Sequence, residues 1–280
     1  MATVGDKTQA PATAQPAQAV RKQRMSPRTK RILTRILAVL SVLVVWQVLV
    51  ALFGRDFMAT PLGIAEAIPQ VLFNDPKVWP GVWETFSVVF RGMAVSIVAG
   101  LIIGLAMGRI PFLADSMAPY VNGFYATPMI AVLPIITLWL GFNTSATFAL
   151  VVFAAVPPMA VAAWDGAKSI PTRYLEVAES FGARRRDVWI GIAIPASLPY
   201  LLAGFRLASG RALAAVVIAE FLIGTGQGLG IHIMRLAQNF YHDEAIVALM
   251  ILTMVGLFLA VGVEAIIRRR YPWFRVTTPS

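Results

Sequence analysis

The residues of this chain best suited to act on another molecule lie between Leu175 and Pro195. Within that stretch Leu175, Val177, Ala178, Phe181 and Val188 recur at helical spacing, which leaves Glu176, Glu179 and the run Arg184, Arg185 and Arg186 to face elsewhere. No bond-breaking chemistry follows from such a pattern. It makes a short amphipathic helix, and taken alone such a helix suits a bed of lipid headgroups. Gly182 ends or bends it, because a residue without Cβ takes the left-handed conformation that closes a last turn. The arginines that follow complement the negative end of the helix dipole.

A second group of chemically capable residues is set in apolar surroundings. Arg211 and Glu220 fall inside an apolar run, where an unpaired charge costs about 2.5–3.5 kcal/mol on insertion scales, so both must face protein or water. Their separation amounts to about 900° around a helix, which puts them on opposite faces and argues against a pair within one helix. Arg211 reads two ways, as a fixed positive charge on the path of a small anion or as a structural ion pair or carbonyl contact. Glu220, near the outer end of its run, reads as a partner for a loop or another subunit. Arg91 either meets a substrate path or snorkels to an interface. His232 and His242, near Asp243 and Glu244, lack metal-ligand spacing and read as solvated loop residues. The glycines of 224–230 lack both the dinucleotide spacing and the Gly-Lys-Ser/Thr of a phosphate loop, so turn geometry accounts for them. No nucleophile–base pair or ATP-binding motif stands out, and no catalytic or metal residue is assigned.

The elements that position these residues must be membrane spans. Of 280 residues 58% are hydrophobic, against about 45–50% in an ordinary soluble domain. With no cysteine there is no disulfide framework, thiol nucleophile or thiolate metal site. The net charge of +10 does not indicate nucleic acid, which needs basic residues clustered with aromatics on a soluble surface; positive cytoplasmic loops account for it. Residues 1–30 are expected to be a disordered, basic tail, and 31–56 an uncleaved first spanning helix, too long for a secretory signal and without a cleavage site. Further spans are expected over about 85–107, 118–142, 146–164, 198–223 and 245–267, followed by a short tail at 276–280. Gly100, Gly104 and Gly108 repeat a small residue where another helix, of this chain or another subunit, approaches closely. Pro119, Pro128 and Pro134 bend the third span, which partly lines a cavity.

Charge orients this layout. With the amino terminus inside, eighteen of the 24 Lys and Arg residues face the cytoplasm, three face outward and three lie within spans or at their ends. Both termini and the long polar connection 165–197 are therefore expected in the cytoplasm.

Glu176-Val177-Ala178, then three residues to Gly182, then nine to Ile192-Ala193-Ile194-Pro195 resembles the EAA signature of bacterial ABC importer permeases. Val177 stands for the middle alanine and Ile194 for leucine, both compact apolar exchanges. Over residues 57–275 the chain is similar in particular to the sulfonate, taurine and nitrate importer subgroup. Thr60-Pro61, Phe90-Arg91-Gly92, Gly108-Arg109, Ala126-Thr127-Pro128, Gly204-Phe205-Arg206, Ala219-Glu220 and Gly228-Leu229-Gly230 carry that likeness.

The resemblance implies an all-α type I ABC importer permease of about six transmembrane helices, with a cytoplasmic coupling helix. It implies an inner-membrane transport subunit, not an enzyme, that binds no cofactor itself. Its partners would be a second permease copy, as a homodimer, two ATPase subunits holding ATP and Mg, an external solute-binding protein and membrane lipid, with no nucleic acid. Leu175, Ala178 and Phe181 would pack into the ATPase groove, with Glu176, Arg184, Arg185 and Arg186 making polar contacts. Ala178 and Gly182 would stay small for close approach, and Pro171 and Pro195 would let the helix move as a rigid body. The solute would be a small anion such as a sulfonate, taurine or nitrate, with Arg91, Pro128, Arg211 and Glu220 as translocation-path candidates. Two other readings compete: an ion-coupled secondary transporter with Arg211 and Glu220 as coupling charges, and a scaffold that recruits a cytoplasmic partner through 175–195.

Overall fold

The structure is a computed structural model that describes residues 27–54, 57–224 and 226–270. Most of the expected amino-terminal tail and all of the carboxy-terminal one lie outside the described residues. The described residues are helices joined by short turns. They fall into two units that meet at Val48 and Leu49. The first contains most of α1 (Pro27–Phe53), whose Lys30–Phe53 portion is long and apolar enough to cross a membrane. This helix begins earlier than the expected 31, since proline is tolerated in a first turn.

The second unit opens with α2 (Pro61–Pro69), started by Thr60, whose hydroxyl accepts from Gly63 N at 2.8 Å, and by Pro61 in the first turn. A π-helical turn (Gln70–Asn74) leads to α3 (Val78–Arg109). α3 begins before the expected 85, with Pro80 in its first turn. In the first turn of a helix proline gives up only an N–H with no helical acceptor, so the helix starts before it.

The third expected span is not one helix. It is α4 (Pro111–Ala126) and α5 (Met129–Leu140), bent by 100°. Pro128 clashes with a helical residue before it, and Thr127 is accordingly extended (φ −68°, ψ 129°). Asn143 then caps α6 (Thr144–Lys168), its Oδ1 accepting from Ser145 N at 2.8 Å. The 165–197 connection is mostly helical: α7 (Thr172–Ser180), α8 (Arg185–Val188) and a π-helical turn (Trp189–Ala193) lead into α9 (Ile194–Ile223). The chain closes with α10 (Leu229–Gln238) and α11 (His242–Arg270), the latter over the last expected span.

α6 is the central helix, packed along α3 and along α9. A Cβ on Gly92 would meet Val151, on Gly100 Met159, on Gly104 Ala163 and on Gly108 Ala167. Each partner follows its glycine by the same interval in sequence, so α3 and α6 run parallel and in register. The glycine repeat is thus a contact between helices of this chain. Against α9 the order reverses: Gly166 faces Ser197, Ala162 faces Gly204, and Ala154 accepts from Arg211. α9 is therefore antiparallel to α6.

This geometry decides how α4 and α5 are used. The chain leaves α3 beside Ala167 and enters α6 where Thr144 lies near Glu84, roughly 35 Å back along α3. The bent pair must carry it across, so it is one broken span and not a re-entrant loop. Among the described residues four helices are long and apolar enough to cross a membrane, and this pair makes a fifth. Arg109, Lys168, α7 and α8 share one side; Asn143 and the 224–228 loop share the other.

Candidate functional site

Among the described residues α7 makes only slight contact with the rest of the fold. On it Tyr174, Val177 and Phe181 recur one turn apart and are exposed, Phe181 to 87%. Gly182 adopts φ +71°, and Ala183 N donates to Ala178 O at 3.0 Å, the six-residue closure of a glycine-capped helix. Ser180 Oγ donates to Glu176 O at 2.8 Å and tightens the same turn. Glu176, Arg184 and Arg186 are exposed, Ala178 and Pro195 half-buried; the side chains of Leu175 and Arg185 lie outside the described residues. The expected ridge thus includes Tyr174, which the sequence reading passed over. The arrangement is a rigid, short helix with a free apolar face and basic residues behind its end.

The expected path residues are not gathered in one place. Arg211 sits beside the α4–α5 break, its guanidinium 4.9 Å from the centre of the Tyr125 ring. Pro158 has no N–H, so the Ala154 carbonyl one turn before it lacks its helical donor. Arg211 Nε supplies the missing donor at 3.0 Å. Pro128 is exposed at the bend. Arg91, whose Nε donates to Ser87 O at 3.1 Å, lines a separate cavity of about 560 Å³ with Phe90, Val95, Thr144 and Phe148.

Glu220 lies elsewhere again and is buried. Its Oε1 accepts from Thr85 Oγ1 and its Oε2 from Gly230 N, both at 2.7 Å, while Thr85 Oγ1 accepts from Leu229 N at 2.9 Å. A Cβ on Gly228 or Gly230 would run into this carboxyl group, so the glycines let backbone close around it. Glu84 Oε2 accepts from Gln227 N at 2.8 Å and holds the preceding part of the loop. The glycines of 224–230 therefore do more than turn the chain.

His232 corrects the sequence reading. It is buried in α10, with Nε2 2.7 Å from Asp75 Oδ2. His242 opens α11 with its ring edge-on to Phe240. No group of three or more His, Asp or Glu among the described residues is placed to hold a metal.

Residues 96–272 match the family described as the binding-protein-dependent transport system inner membrane component. This chain belongs to that family. The permease is 24% identical to the taurine transport system permease protein TauC of Escherichia coli, over 88% of this chain and 92% of that one. It is 25% identical to the formylaminopyrimidine transport permease protein ThiX of Halalkalibacterium halodurans, over 88% and 98%. It is 26% identical to the nitrate import permease protein NrtB of Synechocystis, over 82% and 86%. The fold matches a chain of the inward-facing MetNI methionine ABC transporter with TM-score 0.54, at 23% identity, over 67% of this chain and 94% of that one.

The permease therefore has the type I ABC importer fold, is a multi-pass inner-membrane component, and is a transport subunit and not an enzyme. Its family implies ATPase subunits and a solute-binding protein as partners. The readings as secondary transporter and as scaffold give way to this one.

Arg211→Ala strips the Ala154 carbonyl of its donor and is expected to cost on the order of 1–3 kcal/mol, read as a lowered thermal midpoint of the purified permease. Pro158→Ala restores a main-chain donor, so the double mutant should lose much less than the sum of the single changes. Equal losses with and without Pro158 would show that Arg211 serves another group.

Proposed function

We propose that this permease, as a homodimer, forms the path by which a small anion, a sulfonate, taurine or nitrate, enters the cell from an external binding protein. Two ATPase subunits drive it through the 165–197 segment of a permease domain covering residues 57–275. Both termini and the Lys168 side face the cytoplasm; the distribution of Lys and Arg supports this orientation. The observation that carries the coupling reading is α7, an apolar face exposed on a glycine-capped helix with few contacts of its own. Tyr174, Leu175, Val177, Ala178 and Phe181 supply apolar contact to the ATPase groove, and Glu176, Arg184, Arg185 and Arg186 supply charge. Arg91, Pro128 and Arg211 are the path candidates, and the charges of Arg91 and Arg211 favour an anion; Glu220 stays a candidate beside its loop.

The experiment is Gly182→Trp with the permease at normal levels in the membrane. Among the described residues nothing lies within 4 Å of a Cβ there, so an internal clash is not at issue. The φ of +71° costs a non-glycine residue about 1–2 kcal/mol, and the indole blocks the groove. ATPase association and transport are expected to be lost, whereas Gly182→Asn, which tolerates this backbone, retains most of both. Intact association in the Trp variant would remove the docking claim. The solute itself is read from the ligand retained by the cognate binding protein, and an uncharged ligand would remove the anion.

A further inference from the structure

We infer that the Lys168-side ends of α3 and α6 form a binding site for the phosphate of an anionic phospholipid. Parallel packing brings the two helix ends together, with a Cβ on Gly108 meeting Ala167 and lying 3.3 Å from Trp164 O. Arg109, the next residue, thus adjoins the last turn of α6. There Lys168 Nζ sits 3.8 Å over the Trp164 ring, a contact that fixes the amine while leaving its hydrogen-bond donors free.

Two further donors lack a partner. Arg109 Nη2 and Trp164 Nε1 are both buried without a hydrogen bond. A buried donor without an acceptor is unfavourable, and two such donors on adjoining helix ends, with the Lys168 amine over the same Trp164 ring, point to an oxyanion as the shared acceptor. The permease does not supply it, since among the described residues no carboxylate lies within ion-pair distance of Arg109 or Lys168. Among the described residues no backbone carbonyl accepts a hydrogen bond from either orphan atom.

The place favours a lipid as the source. Tryptophan, lysine and arginine at the end of a spanning helix lie at headgroup depth, where basic residues attract anionic lipids. The bound phosphate would pin α3 to α6 at Lys168, just ahead of α7. Lipid charge would then bear on the rigidity of the base from which the coupling helix projects.

The test uses the full-length permease in neutral detergent. Lipid retained per permease is read by native mass spectrometry after adding phosphatidylglycerol or phosphatidylcholine, with inorganic phosphate as a competing arm. Wild type should retain phosphatidylglycerol over phosphatidylcholine, and Lys168→Gln should retain it about fivefold less, the contribution of one basic side chain at an anionic surface. Arg109→Lys, which keeps the charge but loses the fork of donors, should fall between them. Lys168 is exposed, so its replacement leaves the fold intact and the test informative. Equal retention of the two lipids in wild type, or unchanged retention in both variants, overturns the inference. So does displacement of phosphatidylglycerol by millimolar inorganic phosphate, which makes a free ion the occupant. Loss of ATPase association with lipid retention unchanged assigns the site to a protein partner and overturns it too.

Discussion

A permease carrying Gly104→Leu is expected to disappear from the membrane as a folded species. A Cβ alone at that position would run into Ala160 O and come within 2.6 Å of Ala163 Cβ and 2.8 Å of Trp164 N. Two of these three atoms are helix backbone, so no side chain can swing aside. Because α3 and α6 are in register, relief at this turn lifts Gly100 from Met159 and Gly108 from Ala167 as well. Overpacking ordinarily costs about 1–3 kcal/mol, and a clash with backbone belongs at the upper end. For a marginally stable chain about 3 kcal/mol raises the unfolded fraction roughly a hundredfold. Size-exclusion chromatography of detergent extracts should show the tagged chain aggregated or absent. Gly123→Leu and Gly210→Leu are the controls, since among the described residues nothing lies within 4 Å of a Cβ at either position. A Gly104→Leu chain eluting like wild type would mean that the two helices are not in contact.

The second large effect is expected from Glu220→Ala, on the opposite side of the molecule. The carboxyl group accepts from Thr85 Oγ1 and Gly230 N and fills the hollow left by Gly228 and Gly230. Removing it leaves two buried donors without acceptors, at about 1–3 kcal/mol each, and an empty space between α9 and the loop. Amide exchange at 228–230 should accelerate by roughly a hundredfold, as befits local opening made easier by about 3 kcal/mol. Glu220→Gln keeps an oxygen for one donor and should fall between wild type and alanine. Amides around Ala178 in α7 should be unaffected. Exchange at Gly230 that does not change would disprove the cradle.

What the sequence reveals of this protein follows the range of the interactions. The Gly182 closure of α7 is legible because it is local: a left-handed residue is needed within one turn, and glycine supplies it. The glycine repeat announces a close neighbour, yet its spacing is the same toward any helix, so its partner emerges only from the register of α3 with α6. Pro119, Pro128 and Pro134 look alike in sequence, but only Pro128 divides two helices while the others lie within them. Arg211 and Pro158 are both plain to read, and nothing local says that one answers the hydrogen bond the other removes. His232 fails for the same reason, since its neighbours in sequence are those of a loop and its partner is Asp75.

The register of α3 and α6 has a mechanical meaning. Where Gly104 meets the α6 backbone directly there is no compliant side chain to give way, so neither helix can slip lengthwise there without lifting off the other. They form a stiff strut joining the Lys168 side of the molecule to the two carboxyl groups, Glu84 and Glu220, that hold the far loop. A load applied at the base must reach that loop by tilting the whole strut, and yielding is reserved for the stretch of α6 where Pro157 and Pro158 interrupt its own bonding and an arginine of α9 bridges the gap.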